Sequence, residues 1–139
     1  KTRLSALPKM SGLISVTLAG MAVLYGALAM FLPDSAGIWM LGDSWASGSS
    51  LILPLVLATA AGGLSYGATS ALRAMQKAKL SLNLRLLTAP PVVAGIALGA
   101  LWYGAVGALI AAAVGALFQA VVWWSAYLTV WHRQVRRDT

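Results

Sequence analysis

The feature that most constrains this chain is the spacing of its charges. Uncharged intervals of 24, 29 and 46 residues, at 10–33, 44–72 and 86–131, separate the charged positions. A helix needs roughly 20 apolar residues to cross a hydrocarbon core of about 30 Å. The first two intervals therefore fit one crossing each, and the third, at 46 residues, fits two. We predict four membrane-spanning helices.

The composition agrees with a membrane protein and disfavours a soluble one. The chain is 60% hydrophobic and 9% charged, whereas soluble domains are about 45 to 50% apolar and about 25% charged. We therefore expect an all-α polytopic membrane bundle. The net charge of +7 comes from cations clustered between the apolar intervals, which suits anionic lipid head groups better than nucleic acid. We expect no nucleic-acid partner.

Charges, prolines and glycines set the predicted boundaries. The spans are placed at about 10–33, 49–72, 84–101 and 105–127, within one membrane domain at 1–139. Pro54 lies in the first turns of the second span, where proline removes few helical hydrogen bonds. Pro90 and Pro91 should end a first turn or kink the third span. Aromatic residues followed by glycines at 101–107 predict the reversal between the last two spans.

The distribution of Lys and Arg predicts the topology. Nine of the ten cations lie near the chain ends or in the connector 73–83, the tenth is Arg85 just beyond this connector, and the loop 34–48 has none. Both termini and the basic tail 132–139 should face the cytoplasm across a bacterial-type inner membrane, with Asp34 and Asp43 outside. Arg73 and Lys77 should share one helical face, one turn apart. The predicted lipid head-group and topology anchors are Arg73, Lys77, Lys79, Arg85, Arg133, Arg136 and Arg137.

The amino-terminal segment resembles a signal peptide only in part. The chain begins at Lys1 without an initiator methionine, so it is either processed or a piece of a longer protein. Residues 1–29 carry basic, apolar and small-residue parts in the order of a signal peptide. The apolar part is longer than the usual 7 to 15 residues, and further spans follow. We expect it to be retained as the first span.

The fourth span carries small residues at a helical spacing. Helices in lipid associate through close van der Waals contact, which small residues permit. We favour packing within one bundle over a dedicated dimer interface. The row recurs every four residues, at Gly104, Ala108, Ala112, Ala116 and Ala120, and 107, 111 and 115 form a neighbouring row.

Residues that could perform chemistry are few. The chain has no cysteine, one histidine and three acidic residues, so we expect no enzyme, metal site or cofactor. None of the predicted spans carries an ionisable residue at mid-depth, where such a group would mark a coupling site. The candidates for a substrate path are Tyr66, Thr69, Ser70 and Gln119. The alternative for the first three is anchoring at the membrane interface, and for Gln119 an interhelical hydrogen bond.

Three segments carry a resemblance to a known family: IWMLGDSW at 38–45, LRAMQKAK at 72–79 and WYGAVGA at 102–108. In this order they resemble a helix start, a small cytoplasmic connector and the start of the last helix in polysaccharide flippases of the multidrug/oligosaccharidyl-lipid/polysaccharide exporter superfamily. The resemblance covers about Leu13 to Tyr127. It implies alternating access that moves a lipid-linked oligosaccharide. Such transporters have a dozen or more helices, so four spans would form the last third, and no substrate-binding residue is transferred.

Three functions follow as hypotheses. The first is part of a flippase-like secondary transporter for an undecaprenyl-linked or similar glycan. Its partners would be membrane lipids, the lipid-linked glycan, and further transmembrane helices from a longer chain, a partner subunit or a homo-oligomer. The second is a four-span assembly or scaffold subunit that binds a partner through the small-residue face of its last helix. The third, a compact oligomeric small-molecule exporter, is disfavoured because no predicted span carries a coupling carboxylate.

Overall fold

A computed structural model describes the backbone of residues 2–137 and the side chains of 8–40 and 42–136. Within 2–137 the chain is helical apart from short turns and contains no strand. This confirms the all-helical fold class. Three helices, α1, α3 and α4, are long and apolar enough to cross a membrane. The four helices are α1 (Thr2–Met30), α2 (Asp34–Leu41), α3 (Ser44–Ala74) and α4 (Ala78–Arg137).

Helix α4 folds back on itself at Tyr103 and Gly104. Tyr103 has φ −130°, and Gly104 has φ +61° with ψ −146°, a conformation that essentially only glycine adopts. Val92 packs against Gly115, although these residues would lie about 35 Å apart in one straight helix. The two halves, called here the first arm (78–102) and the second arm (105–137), are therefore antiparallel neighbours. The reversal lies inside the segment 101–107 predicted for it.

Helix α3 forms the middle of the bundle, because α1 and α4 both pack against it. Its contact with α1 is antiparallel: Ser15 lies beside Gly67, Ala19 beside Gly63, and Gly26 beside Val56. Its contact with the second arm contains the buried core. That core consists of Ala68, Ala71, Leu72, Trp123 and Tyr127.

The turn between α3 and α4 corrects the prediction that Arg73 and Lys77 share a helical face. Gln76 has a left-handed φ of 56°. The Lys77 N–H donates to the Leu72 carbonyl at 3.1 Å, and the Gln76 N–H donates to the Arg73 carbonyl at 2.9 Å. These two bonds form a Schellman motif, which closes a helix. Arg73 therefore belongs to the last turn of α3 and Lys77 lies beyond its end.

Helix α4 extends beyond both of its predicted spans, whose limits within a membrane stay predictions. The first arm begins at Ala78 rather than at about 84, and α4 neither ends nor leaves helical angles at Pro90 and Pro91. The second arm continues as helix to Arg137, through most of the predicted tail. Backbone hydrogen bonding does not require apolar side chains, so a helix can extend beyond its apolar length.

A short helix, α2, occupies much of the predicted external loop. The indole Nε1–H of Trp45 donates to Oδ1 of Asp34 at 2.9 Å. A Cβ atom on residue 37 would overlap the Trp45 ring, so Gly37 permits close approach of α2 to the start of α3. The loop is thereby held against the end of the bundle.

Candidate functional site

A polar cavity lies between α3 and the two arms of α4. Its volume is about 380 Å³. We call it the polar cleft. Its side chains with polar groups or rings are Ser65, Tyr66, Thr69, Arg85, Gln119 and Trp123, and Gly62 and Ala89 complete the lining.

Helical spacing explains how each element contributes to the polar cleft. Residues three and four apart lie on one face of a helix. Ser65, Tyr66 and Thr69 thus form one stripe on α3, and Gln119 and Trp123 form another on the second arm. Arg85 comes from the first arm, together with Ala89 one turn later. Three helical segments therefore each place polar or aromatic groups in one cavity.

Three of the four predicted substrate-path candidates line the polar cleft: Tyr66, Thr69 and Gln119. Ser70 is not among the residues that line the cleft, and its side chain is exposed. Ser65 was not predicted, although its spacing of four from Thr69 was a usable signal. Whether these candidates meet a substrate stays a prediction.

Arg85 has a different environment from the cations with which the sequence grouped it. All four cations are exposed, but Arg73, Lys77 and Lys79 flank the turn between α3 and α4. Arg85 is seven residues beyond Ala78, about 10 Å along the first arm at 1.5 Å per residue, and it lines the polar cleft. The uncharged interval 80–84 was the sequence signal that set it apart.

The polar groups of the cleft differ in whether they have hydrogen-bond partners among the described residues. The Thr69 hydroxyl donates to the Ser65 carbonyl at 2.9 Å. The Oγ atom of Ser65 is buried and has no hydrogen-bond partner within the described part of the chain. Tyr66 is 61% exposed. Since a buried hydroxyl without a partner is energetically unfavourable, the cleft offers a hydrogen-bonding group to an additional molecule.

The charge of the cleft lining is positive. Arg85 is a cation, and none of the described lining residues is a carboxylate. Guanidinium, hydroxyl and amide groups all donate hydrogen bonds. This set of groups suits an oxygen-rich ligand, either a polyhydroxylated group or an anion.

One backbone carbonyl holds the helices beside the cleft together. The Leu64 carbonyl oxygen accepts a hydrogen bond from the Ser15 hydroxyl at 2.9 Å and one from Nε1–H of Trp124 at 2.9 Å. Ser15 Oγ accepts in turn from the Gly67 N–H at 3.0 Å. Because Ser15 belongs to α1 and Trp124 to the second arm, this carbonyl links three elements. Leu64 precedes the cleft residues Ser65 and Tyr66, so these bonds fix the wall that carries them.

The remaining predicted anchors lie at one end of the bundle. α1 and α3 are antiparallel, as are the arms of α4, so the start of α1, the end of α4 and the α3–α4 turn are at the same end. The aspartates Asp34 and Asp43 are at the other end, between α1 and α3. The side chain of Arg137 lies outside the described residues. The anchors that lie at the cationic end are Arg73, Lys77, Lys79, Arg133 and Arg136, all exposed.

The small-residue row of the second arm is covered unevenly. Ala120 is buried, Gly104 is exposed, and Ala108, Ala112 and Ala116 are half-buried. The neighbouring row packs against the first arm, where Ala111 and Gly107 face Gly99 and Gly115 faces Val92. Close packing within the bundle therefore uses mainly the neighbouring row.

Comparison with known proteins adds no relative: no protein-family model, curated protein or solved structure matches this chain. Among residues 2–137, no group of three or more His, Cys, Asp or Glu side chains could hold a metal ion. A functional interpretation must therefore rest on the sequence and on the polar cleft.

Proposed function

We propose that this chain is part of a flippase-like secondary transporter that moves a lipid-linked oligosaccharide or polysaccharide precursor across a membrane. The polar cleft is the observation that carries this proposal. Polar groups within membrane-spanning segments are costly and mark substrate pathways. In an otherwise apolar set of helices, the convergence of Tyr66, Thr69, Gln119 and Arg85 on one cavity supports a path for a polar head group.

The outer surface of the helices supports the same proposal. Large apolar side chains are exposed on every long helix, including Leu13 (69%), Val93 (63%) and Val121 (69%). Surfaces of this kind suit lipid chains or further transmembrane helices. Neighbouring helices would complete the pathway on the side of the polar cleft that this chain leaves uncovered.

The proposed topology has four crossings, with both termini in the cytoplasm. The separation of the cationic end from Asp34 and Asp43 supports it, because Lys and Arg favour the cytoplasmic side. The chain has no cysteine, so single-cysteine variants report position directly. In intact bacteria, a membrane-impermeant maleimide should label Ser35→Cys, and it should label Lys77→Cys only after permeabilisation. Labelling of Lys77→Cys in intact cells would refute the proposed orientation.

Transport itself is tested with substitutions in the cleft. The protein is purified in the form in which the cell makes it and is reconstituted into vesicles. The transfer of a fluorescent lipid-linked glycan between the two leaflets is then measured. Thr69→Val and Gln119→Leu each remove a hydrogen-bonding group, so each should slow transfer about fivefold, equivalent to about 1 kcal/mol.

A matched control exists on the same helix. The Thr59 hydroxyl bonds to the Leu55 carbonyl just as the Thr69 hydroxyl bonds to the Ser65 carbonyl, but Thr59 is not among the residues that line the cleft. Thr59→Val should leave the transfer rate unchanged. Equal rates for the wild type, Thr69→Val and Gln119→Leu would count against the cleft as the substrate path.

A second proposal is an assembly or scaffold subunit, and the half-buried state of Ala112 and Ala116 favours it. Part of the small-residue row remains accessible for a partner helix. Leucine at both positions should then abolish copurification with the partner, whereas leucine at the exposed Ala105 should not. Unchanged copurification with Ala112→Leu/Ala116→Leu would exclude this interface.

A further inference from the structure

We infer that the polar cleft binds a phosphate group through Arg85, an inference that rests on the proposed role of the same cleft and specifies its ligand chemistry. The guanidinium is the cationic group in the lining, and it lies about 10 Å along the first arm from Ala78 at 1.5 Å per residue. This position distinguishes Arg85 from the other predicted topology anchors whose side chains are described, which lie at the end of the bundle.

No described residue of the cleft lining carries a negative charge that could balance the charge of Arg85. Among the described lining residues there is no carboxylate, and Asp34 and Asp43 lie at the opposite end of the bundle. In the proposed topology the cleft lies between membrane-spanning segments, where a cation is stabilised by a counter-charge. A bound anion would supply that charge.

The other groups of the cleft favour phosphate among anions. Guanidinium recognises phosphate through two parallel N–H bonds. Phosphate has further oxygens that accept hydrogen bonds, and the Tyr66 hydroxyl, the Gln119 amide and the Ser65 hydroxyl, which has no partner in the described part of the chain, can donate them. A neutral polyol would use the hydroxyls and the amide but not the charge of Arg85.

The phosphate could belong to a membrane lipid or be free in solution, and calorimetric titration separates the two sources. The full chain is held in maltoside micelles, which contain no phosphate. It is titrated in parallel with dihexanoyl phosphatidic acid, with the neutral dihexanoyl glycerol and with inorganic phosphate. We expect phosphatidic acid to bind at least tenfold more tightly than dihexanoyl glycerol, a difference of about 1.4 kcal/mol. Comparable binding of inorganic phosphate would identify the phosphate alone as the ligand; binding of phosphatidic acid only would identify a lipid head group.

Variants assign the effect to Arg85. Arg85→Gln should lower the affinity for phosphatidic acid about tenfold, and Arg85→Lys, which keeps the charge, should restore part of it. Arg73→Gln is the matched control, because Arg73 is an exposed cation like Arg85 but does not line the cleft. Unchanged tryptophan fluorescence and helicity of Arg85→Gln would show that its fold is intact. If Arg85→Gln is misfolded, two other comparisons test the inference. One is the affinity of Arg85→Lys for phosphatidic acid against that of the wild type, and the other is the preference of the wild type for phosphatidic acid over dihexanoyl glycerol.

Two results would overturn the inference. One is equal binding of phosphatidic acid and dihexanoyl glycerol by the wild type. The other is an equal loss in Arg73→Gln and Arg85→Gln, which would indicate only general attraction to the cationic end. If glycan transfer still responds to Thr69→Val after either result, the proposed transport function stands and only the phosphate site fails. If transfer does not respond, the transport proposal fails independently.

Discussion

The contact between α1 and α3 and the contact between the two arms of α4 are built from similar small residues but are stabilised differently. In the first, Ser15 Oγ bonds to the Leu64 carbonyl at 2.9 Å and accepts from the Gly67 N–H at 3.0 Å. In the second, Gly99 and Gly107 bring two backbones together, and a Cβ atom on either would overlap the carbonyl of the other. One contact therefore combines close approach with hydrogen bonds, whereas the glycine pair relies on close approach.

The chain connections explain this difference. The arms of α4 join directly through Tyr103 and Gly104, so the turn limits how far they can slide past each other. α1 and α3 are joined through α2 and two further turns, which restrict sliding much less. The hydrogen bonds of Ser15 define the register that this longer connection leaves open, and the same register positions the α3 wall of the polar cleft.

A double-cysteine variant tests the arm contact with an all-or-none result. A Cβ atom on residue 115 would lie 3.4 Å from Cβ of Val92, close to the separation of about 3.5 to 4.5 Å found in disulfides. Because the chain has no cysteine of its own, Val92→Cys/Gly115→Cys should oxidise almost completely to one intramolecular disulfide, seen as a mobility shift on a non-reducing gel. Val92→Cys/Val121→Cys is the control, with the second cysteine about 9 Å further along the arm. Equal oxidation of both pairs would mean that the arms are not held in this register.

Gly67→Ala should cause the largest loss of stability among single substitutions. Its Cβ atom would overlap the Ser11 carbonyl and the Ser15 hydroxyl, and a backbone carbonyl cannot move aside without displacing α1. We expect a loss of about 3 kcal/mol, measured by SDS-induced unfolding in maltoside micelles. Gly20→Ala, whose Cβ meets nothing within 4 Å, should have almost no effect. A loss in Gly67→Ala no greater than that in Gly20→Ala would show that α1 does not pack here.

Gly107→Ala should cost less, about 2 kcal/mol in the same assay. Its Cβ atom would overlap the Gly99 carbonyl, but the nearby turn at Tyr103 and Gly104 can yield slightly. Gly95→Ala is the control on the first arm, since its Cβ would have no neighbour within 4 Å. If Gly107→Ala proved more damaging than Gly67→Ala, the arm contact would be the more rigid of the two.

The sequence was sufficient to predict an all-helical fold, helices long and apolar enough to cross a membrane, and the position of the reversal. Long uncharged intervals have few interpretations in a chain of this composition, and glycine next to aromatic residues gave the turn at 101–107. The end of α3 could not be predicted in the same way. It depends on Gln76 in a left-handed conformation, and glutamine carries no sequence signal for that conformation.

The cleft was predictable only in its individual residues. Polarity in an apolar segment marked Tyr66, Thr69 and Gln119, but their convergence depends on how the helices are rotated about their axes. Arg85 was grouped with its charged neighbours along the chain because its place beside α3 and the second arm arises from tertiary packing. The serine on α1 was missed for a similar reason, since the partner of Ser15 is 49 residues away in sequence.

Ser15→Ala should produce the smallest loss, about 1 kcal/mol, because hydrogen bonds between helices in membranes average about 0.6 kcal/mol and this substitution removes two. Ser125→Ala is the control: the Ser125 hydroxyl bonds within its own arm, to the Val122 carbonyl, so its removal should not alter SDS-induced unfolding. The two serine variants differ in a second measurement. Without the bonds of Ser15 to Leu64 and Gly67, α1 should slide more freely against α3. A disulfide between two cysteines, one on each helix and one helical turn out of register, should then form faster in Ser15→Ala than in Ser125→Ala. Equal rates of disulfide formation would show that close glycine contact alone sets the register, and the two kinds of contact would then not differ in mechanism.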